Sequence, residues 1–179
     1  MSNNFDVAII GGGVVGCAIA RELSRYKLRV VVLERAGDVA RGTSGKNSGV
    51  VHTGINVPPG SVKARYNVAG AENFEEYCAD LDVPFDRCGK VIVALKEEEV
   101  SGLQSLMTRG ISMGIQDLEI IDRATLKRME PNIEGVAALN VPTAAIACPY
   151  TLNIALAESS AAAGVVFMLE TPVTGIRGE

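Results

Sequence analysis

The stretch FDVAIIGGGVVG, residues 5–16, decides the fold of this chain. Its first half, Phe5–Ile10, is short, apolar and rich in β-branched residues, as is typical of a buried strand. The run stops at three glycines, and from Val14 to Tyr26 apolar residues recur at helical spacing. The order strand, glycine turn, helix predicts the start of a parallel βαβ unit, whose second strand is the apolar run Leu28–Leu33.

The glycines of this turn fall at Gly11, Gly13 and Gly16, which is the GxGxxG spacing. In dinucleotide-binding folds the first glycine permits the tight turn, the second lets a pyrophosphate approach the main chain, and the third lets helix pack on strand. Glu34 ends the second strand about 20 residues later, where a carboxylate can accept both hydroxyl groups of a ribose. A Rossmann-like nucleotide site is therefore predicted, and a purely structural turn beside a surface glutamate is the alternative.

The start of the predicted helix offers main-chain donors to such a nucleotide. The N–H groups near Gly13, Val14 and Val15 are expected to point at the phosphates, helped by the positive end of the helix dipole. NAD and FAD share the adenosine diphosphate half that would bind here. The glycine turn alone therefore leaves the cofactor open between them.

The polar segment RGTSGKNSG, residues 41–49, follows the second strand and contains few core-forming residues. It can supply hydroxyl and N–H groups to a flat polar ring, and its glycines let such a ring approach the main chain. The only histidine of the chain, His52, comes soon after it. The segment therefore favours a cofactor with a planar polar ring.

Six stretches spread along the chain carry patterns that occur together in one known family. They are IGGGVVG (10–16), GTSGKNSGVVHTG (42–54), PPGSVKARYNVAG (58–70), DVPFDRCGKVIVAL (82–95), IIDRATLKRMEPNI (120–133) and PTAAIACPYTLNIALAE (142–158). With them the chain resembles the flavin-dependent family of D-amino-acid oxidase, and within it the branch of FAD-linked glycerol-3-phosphate dehydrogenases and L-2-hydroxyglutarate oxidases. The resemblance implies FAD as cofactor and an α/β fold class, a Rossmann-like FAD-binding fold with part of a second α+β substrate domain.

The resemblance also assigns the residues that bind FAD. They are Gly11, Gly13, Val14 and Val15 at the pyrophosphate, Glu34 at the ribose, Arg35 and the main chain of Val173 at the adenine, and Thr43, Ser44, Asn47, Ser48 and Gly49 along the flavin ring. His52 matches the family histidine beside the flavin. An imidazole there can take a proton from a substrate hydroxyl while hydride moves from the adjacent carbon to flavin N5, and its ordinary pKa of about 6.5 suits that role. Three other roles for His52 stay open: orientation of the ring, covalent attachment of the flavin, and a merely structural one.

The implied reaction is oxidation of a small anionic 2-hydroxy compound. Glycerol 3-phosphate ranks ahead of L-2-hydroxyglutarate, with an amine or amino acid third. The order His52-Thr53-Gly54-Ile55-Asn56 resembles the hydroxyglutarate oxidases and lacks the Gly-Gly-Leu-Arg sequence of the aerobic glycerol-3-phosphate enzymes. A nicotinamide-dependent dehydrogenase and a non-catalytic nucleotide-binding module are the alternatives from other classes, and the electron acceptor and oligomeric state are not specified.

Composition and charge further narrow the possible partners and the cellular location of the chain. Seventeen basic against twenty-one acidic side chains give a net charge of −4 without a long basic run, so nucleic acid is an unexpected partner. No stretch reaches the roughly 18 apolar residues of a membrane span, and the first residues lack a signal sequence. We therefore predict a soluble, cytoplasmic chain without a transmembrane segment, with peripheral contact at the inner membrane face left open for a longer, quinone-linked protein.

The four cysteines, Cys17, Cys78, Cys88 and Cys148, lie far apart without CxxC spacing. Neither a zinc site nor a disulfide framework is predicted from them, and no other metal site is expected. Buried free thiols are the simplest interpretation.

Other patterns predict further elements and the domain organisation. Helices are predicted over 61–81, from 97, over 124–129 and over 151–163, and strands over 91–94 and 165–169. Phe74 and Tyr77 lie on one stripe of the helix over 61–81 and are assigned to the hydrophobic core, with cofactor contacts as the alternative. Glu97–Glu99 is assigned to a solvated first turn rather than a metal site, and Lys63, Arg65 and Lys127 to surface charge or anionic substrate. We predict an incomplete FAD-binding domain over 1–82 and 150–179, with 83–149 an inserted part of the substrate domain. Because members of the resembled family run to several hundred residues, the chain is interpreted as an N-terminal fragment that is inactive alone.

Overall fold

A computed structural model of the chain describes residues 4–178, which form two compact units. Unit 1 contains the described residues of 4–49, 78–84 and 148–178, and unit 2 contains 50–77 and 85–147. The predicted domain boundaries differ from this grouping mainly over 50–77, which pack with 85–147. Residues 1–3 and 179 of the predicted FAD-binding domain lie outside the described residues, and the functional assignment of each unit stays a prediction.

The described residues form the following elements. The strands are β1 (Val7–Ile10), β2 (Val30–Leu33), β3 (Val50–Val51), β4 (Phe85–Asp86), β5 (Lys90–Ala94), β6 (Glu119–Asp122), β7 (Ala137–Val141), β8 (Ala145–Ala147) and β9 (Val166–Met168). The helices are α1 (Val14–Leu23), α2 (Val62–Asp80), α3 (Val100–Ser112), α4 (Arg123–Met129) and α5 (Pro149–Ala162). Short 3₁₀ turns occupy Thr43–Gly45 and Glu97–Glu99.

Unit 1 is built on the parallel sheet β1-β2-β9. Val7 pairs with Val30 and Ile10 with Leu33, which confirms the predicted parallel βαβ unit. The core between this sheet and its helices consists of five buried apolar residues: Ile9, Ala20, Val30, Val32 and Val165. Because all three strands are parallel, the glycine turn after β1, the residues after β2 and the chain after β9 meet at one edge of the sheet.

Unit 2 contains two antiparallel sheets, β5-β7-β6 and β3-β8-β4. Leu139 and Val141 of β7, with Ile55 and Leu103, form the centre of its core. Of these strands the sequence predicted β5 alone. Three of the others, β3, β4 and β8, have only two or three residues, which is too few for a pattern to identify them. The remaining two, β6 and β7, show no strict alternation of apolar and polar residues.

The predicted helices appear in the structure with small differences at their ends. The helix predicted over 61–81 is α2, and the acidic run Glu97–Glu99 leads directly into α3 as a first turn. The N-terminal helix is shorter than predicted, because α1 ends at Leu23 and residues 24–26 form a turn. No helix in the described part of the chain is long and apolar enough to cross a bilayer.

The prediction that the cysteines are buried free thiols is half right. All four are free, and Cys17 and Cys78 are buried inside helices. Cys88 and Cys148 are exposed, so the prediction is wrong for them. Both lie in segments that join elements, where a side chain has fewer neighbours to cover it.

Candidate active site

The glycine turn between β1 and α1 has the backbone geometry that its spacing predicts. Gly11 has a φ of 104°, in the left-handed region that side chains rarely adopt. A Cβ on Gly16 would overlap with the carbonyl oxygen of Gly11. Only glycine at position 16 therefore lets α1 pack this closely against the end of β1.

The first turn of α1 presents main-chain N–H groups that have no partner within the helix. Gly13 is the N-cap residue and supplies no capping side chain. The Val14 N–H donates to the Ser44 hydroxyl oxygen at 3.0 Å, so a side chain from the 3₁₀ turn 43–45 closes the start of the helix. Gly13, Val14 and Val15, the predicted pyrophosphate residues, thus lie together with Ser44.

Glu34 follows β2 and lies against the same turn. Its carboxylate accepts hydrogen bonds from the N–H of Gly12 at 2.6 Å and from the N–H of Ala36 at 2.8 Å. Burial alone would raise the pKa of Glu34, but these hydrogen bonds and the charge of Arg35 outweigh it, so the pKa lies below its ordinary value. The structure therefore fixes an ionised carboxylate beside the predicted phosphate donors.

The residues predicted at the adenine lie at the same edge of the sheet. The chain after β9 runs beside the chain after β2, since the Thr171 N–H donates to the Glu34 carbonyl oxygen at 2.8 Å. Val173 lies two residues further on and is partly exposed, and the Arg35 side chain is exposed. Unit 1 thus gathers Glu34, Arg35 and the segment that carries Val173.

The predicted flavin loop, residues 43–49, is held by its own polar groups. The Asn47 side chain donates to the carbonyl oxygens of Ser44 and Thr43 at 2.9 and 3.2 Å and accepts from the Gly49 N–H at 2.9 Å. Gly49 has a φ of 68°. Thr43, Asn47 and Ser48 remain exposed, so the loop is shaped internally while its outer surface is open.

Asn153 of α5 supports the glycine turn and was missed by the sequence analysis. It is fully buried, and its amide nitrogen lies 3.2 Å from the Gly12 carbonyl oxygen, to which it donates, and 3.3 Å from the Cys17 sulfur. Its side-chain oxygen has no hydrogen-bond partner in the described structure. Because 141 residues separate Asn153 from Gly12, no local pattern could reveal this contact.

His52 belongs to unit 2, directly after β3. Its side chain is exposed, whereas Thr53, Gly54 and Ile55 after it are buried, so the chain that carries the imidazole continues directly into the core of unit 2. Although the side chain is exposed, neighbouring atoms keep solvent from part of the ring, and this desolvation lowers the pKa of His52. The positive charges of Lys90 and Lys63 lower it further. The imidazole is therefore neutral at neutral pH and can accept a proton.

Known proteins resemble the chain over nearly its whole length. Residues 6–179 match the family model described as DAO, FAD dependent oxidoreductase. A glycerol 3-phosphate dehydrogenase from Caloramator mitchellensis is 40% identical over 174 residues, which cover 96% of this chain and 36% of that protein. The mitochondrial L-2-hydroxyglutarate dehydrogenase of Nematostella vectensis is 42% identical over 147 residues, 81% of this chain and 32% of that protein.

Solved structures show the same fold. The FAD-bound L-alpha-glycerophosphate oxidase of Mycoplasma pneumoniae superposes with a TM-score of 0.90 at 33% identity, over 97% of this chain and 46% of its own. Glycine oxidase from Geobacillus kaustophilus gives a TM-score of 0.89 at 25% identity, over 97% of this chain and 48% of its own. The chain thus spans less than half the length of these proteins and about a third of the length of the curated relatives above.

Proposed function

Because this chain belongs to the DAO family of FAD-dependent oxidoreductases, we propose that it is part of an enzyme that oxidises a small anionic 2-hydroxy compound to the ketone. Glycerol 3-phosphate is the proposed substrate. The observation that carries the proposal is the glycine turn of unit 1 with the ionised Glu34 carboxylate bound to it. The only histidine of the chain, whose pKa is lowered, lies in unit 2 and is the candidate base. The names of the relatives above support this substrate class.

FAD fits the residues of unit 1. The turn at Gly11 is open, since a Cβ built there meets no atom within 4 Å, and the first-turn N–H groups of α1 are donors suited to a pyrophosphate. The ionised Glu34 carboxylate lies beside them and can accept from ribose hydroxyls. In this proposal Thr43, Ser44, Asn47, Ser48 and Gly49 line the flavin ring, and Arg35 and Val173 adjoin the adenine. When bound, FAD supplies the acceptor of the hydride at N5.

His52 is the proposed base. The substrate hydroxyl gives its proton to a neutral ring nitrogen of His52 as the hydride leaves the adjacent carbon, so that two electrons and two hydrogens are removed in total. A pKa below the ordinary value keeps the imidazole in its accepting form at neutral pH. The buried residues after His52 limit the movement of its backbone, which favours a reproducible position for the ring.

L-2-hydroxyglutarate is the second candidate substrate. The order of residues 52–56 resembles the hydroxyglutarate oxidases, and such a dehydrogenase is 42% identical to the chain. Glycerol 3-phosphate ranks first because the glycerol 3-phosphate dehydrogenase matches 96% of the chain and a glycerophosphate oxidase shares its fold at a TM-score of 0.90.

An anaerobic absorption experiment on the full natural protein that contains this sequence tests the proposal. We expect a yellow protein whose flavin band bleaches on addition of glycerol 3-phosphate and less readily with L-2-hydroxyglutarate. Bleaching by glycine or D-amino acids alone would move the assignment to an amine oxidase. A band that no substrate bleaches would indicate a non-catalytic FAD-binding module, and reduction of added NAD by a colourless protein would indicate a nicotinamide enzyme.

Acid precipitation of the same protein separates the roles of His52. Flavin released into the supernatant excludes covalent attachment, and a His52→Gln variant then distinguishes proton transfer from orientation. Loss of flavin reduction with an unchanged oxidised spectrum supports proton transfer. An altered flavin spectrum in the variant supports orientation of the ring instead.

A further inference from the structure

We propose that Lys63 and Lys90 form a subsite beside His52 that binds the anionic end of the substrate. The inference rests on the proposed function, because it assigns to these lysines the oxyanion that the 2-hydroxy compound carries. A phosphate and a second carboxylate share this chemistry, so the experiment below uses one probe for each.

Lys90 comes close to His52 through the strand pairing of unit 2. Because β3 and β8 pair in antiparallel register, His52 follows β3 at the position opposite Ala144. The carbonyl oxygen of Ala144 accepts a hydrogen bond from the Gly89 N–H at 2.9 Å. Lys90 is the next residue and the first of β5, so strand geometry holds its backbone near the histidine segment.

Lys63 approaches the same segment from α2. Gly54, two residues after His52, lies against this helix, since a Cβ on Gly54 would stand 3.3 Å from the Asn67 side chain and 3.7 Å from the Ala64 carbonyl oxygen. Lys63 precedes Ala64 in the first turn, and its carbonyl oxygen accepts from the Asn67 amide at 2.9 Å. The backbones of two lysines from different elements therefore lie near the His52 segment, and both of their charges act on its imidazole.

Neither lysine has a paired carboxylate in the part of the chain that the structure describes. Among residues 4–178 no ion pair involves Lys63 or Lys90, whereas Arg87 and Lys127 of the same unit both pair with glutamates. Lys90 is half-buried, and burial lowers the pKa of its ammonium group. Because a partly buried cation without an acidic partner is costly, a bound oxyanion would stabilise it.

An anion bound at the subsite should also change the pKa of His52. Both positive charges lower the pKa of the imidazole. An oxyanion bound between them would offset that effect and raise the pKa of His52 toward its ordinary value. Substrate binding would thereby make the imidazole a stronger proton acceptor when the hydroxyl group is in place.

Proton NMR of the full protein tests the subsite independently of flavin reduction. The signal of His52 is assigned by its absence in a His52→Gln variant, and its pKa is followed with inorganic phosphate alone and with glutarate alone. We expect at least one probe to raise the pKa of His52 in the natural protein, and the effective probe identifies the end group. No shift with either probe would overturn the subsite.

Variants that replace each lysine with a neutral residue then show which lysine causes the change in the pKa of His52. Lys90→Gln and Lys63→Gln should each raise the pKa of His52 without any probe and reduce the response to the probe. Lys27→Gln, which removes an exposed lysine of unit 1 that does not act on His52, should change neither. If Lys90→Gln does not fold, the exposed Lys63→Gln still decides, and an unchanged response in it contradicts the proposal.

Steady-state kinetics provide the functional test. Loss of one charged hydrogen bond to the substrate should raise KM for the anionic substrate about tenfold to a hundredfold, while kcat changes far less. Lys90→Arg should recover part of the affinity. A KM unchanged in both glutamine variants would overturn the subsite, and a flavin that no substrate reduces despite a normal phosphate response would overturn the proposed function alone.

Discussion

The glycine turn of unit 1 and the histidine segment of unit 2 acquire their geometry in different ways. In the turn, the main chain supplies the important features: the positive φ of Gly11, the close approach at Gly16 and the exposed N–H groups of α1. Around His52 the features are side chains that come from separate elements, with Lys90 on β5 and Lys63 on α2. A main-chain site can thus be identified from local spacing, whereas a side-chain site requires the fold.

The largest effect is expected at the histidine. His52→Gln removes the proposed proton acceptor and should lower the rate of flavin reduction by about 10²–10⁴-fold. Stopped-flow absorption under anaerobic conditions measures it. Because His52 is exposed, the free energy of unfolding should change by less than about 0.5 kcal/mol. A large loss of stability with normal reduction would show that the segment is structural.

The pH dependence of the same reaction follows from the lowered pKa of His52. The step needs the neutral imidazole, so kcat/KM, which reports the protein before substrate binds, should fall as pH falls through a value below about 6.5. Lys90→Gln should move this midpoint to higher pH. The free energy of unfolding should also fall as pH falls, because the unfolded chain binds the proton on His52 more readily. The contribution of His52 to stability is fully present above its unfolded pKa and is lost as pH falls through its folded pKa.

In the glycine turn, the largest effect is expected from Gly16→Ala. The added Cβ would overlap with a main-chain oxygen, which cannot rotate away, so α1 must move and the free energy of unfolding should fall by about 3 kcal/mol. FAD retention should decrease with it. Urea denaturation followed by circular dichroism measures the change.

Gly70→Ala in α2 is the matched control. A Cβ there meets no atom within 4 Å, so the same substitution should raise the free energy of unfolding by up to about 1 kcal/mol through helix propensity. Opposite signs at the two positions would show that unit 1 depends on main-chain contact at Gly16. Equal effects would contradict that claim.

The contrast between the two regions also explains what could be predicted from the sequence. Patterns within about 20 residues predict the βαβ unit, the helices and the position of Glu34 after the second strand, and the structure contains all three. The short antiparallel strands of unit 2 depend on partners far along the chain, as does the contact of Asn153 with Gly12. The sequence analysis assigned Lys63 to surface charge or an anionic substrate and did not single out Lys90, because the relation of both lysines to His52 exists only after folding.

Glu34→Gln should have an intermediate effect. Glutamine keeps the size of the side chain but has one acceptor oxygen, so either Gly12 or Ala36 loses its partner and faces an NH₂ group. We expect a loss of about 1–2 kcal/mol in the free energy of unfolding and weaker FAD binding, measured by denaturation and by flavin fluorescence. An unchanged affinity for FAD would show that Glu34 stabilises the turn but does not bind the cofactor.

The ionised form of Glu34 should make the free energy of unfolding depend on pH. Its pKa is lowered in the folded chain, so the stabilisation is present above the unfolded value and is lost as pH falls through the folded one. Denaturation at graded acidic pH should therefore show a smaller difference between the natural protein and Glu34→Gln at low pH. A difference that grows on acidification would contradict this linkage.

Ser44→Ala tests whether the turn needs a side chain at all, and its effect should be the smallest. The substitution removes the acceptor of the Val14 N–H, whose bond to Ser44 measures 3.0 Å. Because water can partly replace a lost cap, we expect a cost of about 0.5–1 kcal/mol. Ser105→Ala is the control: its hydroxyl bonds only the Ser101 carbonyl oxygen within α3, and alanine should be neutral or slightly stabilising there. A Ser44→Ala cost above about 2 kcal/mol would mean that the turn, like the surroundings of His52, depends on side chains brought together by the fold.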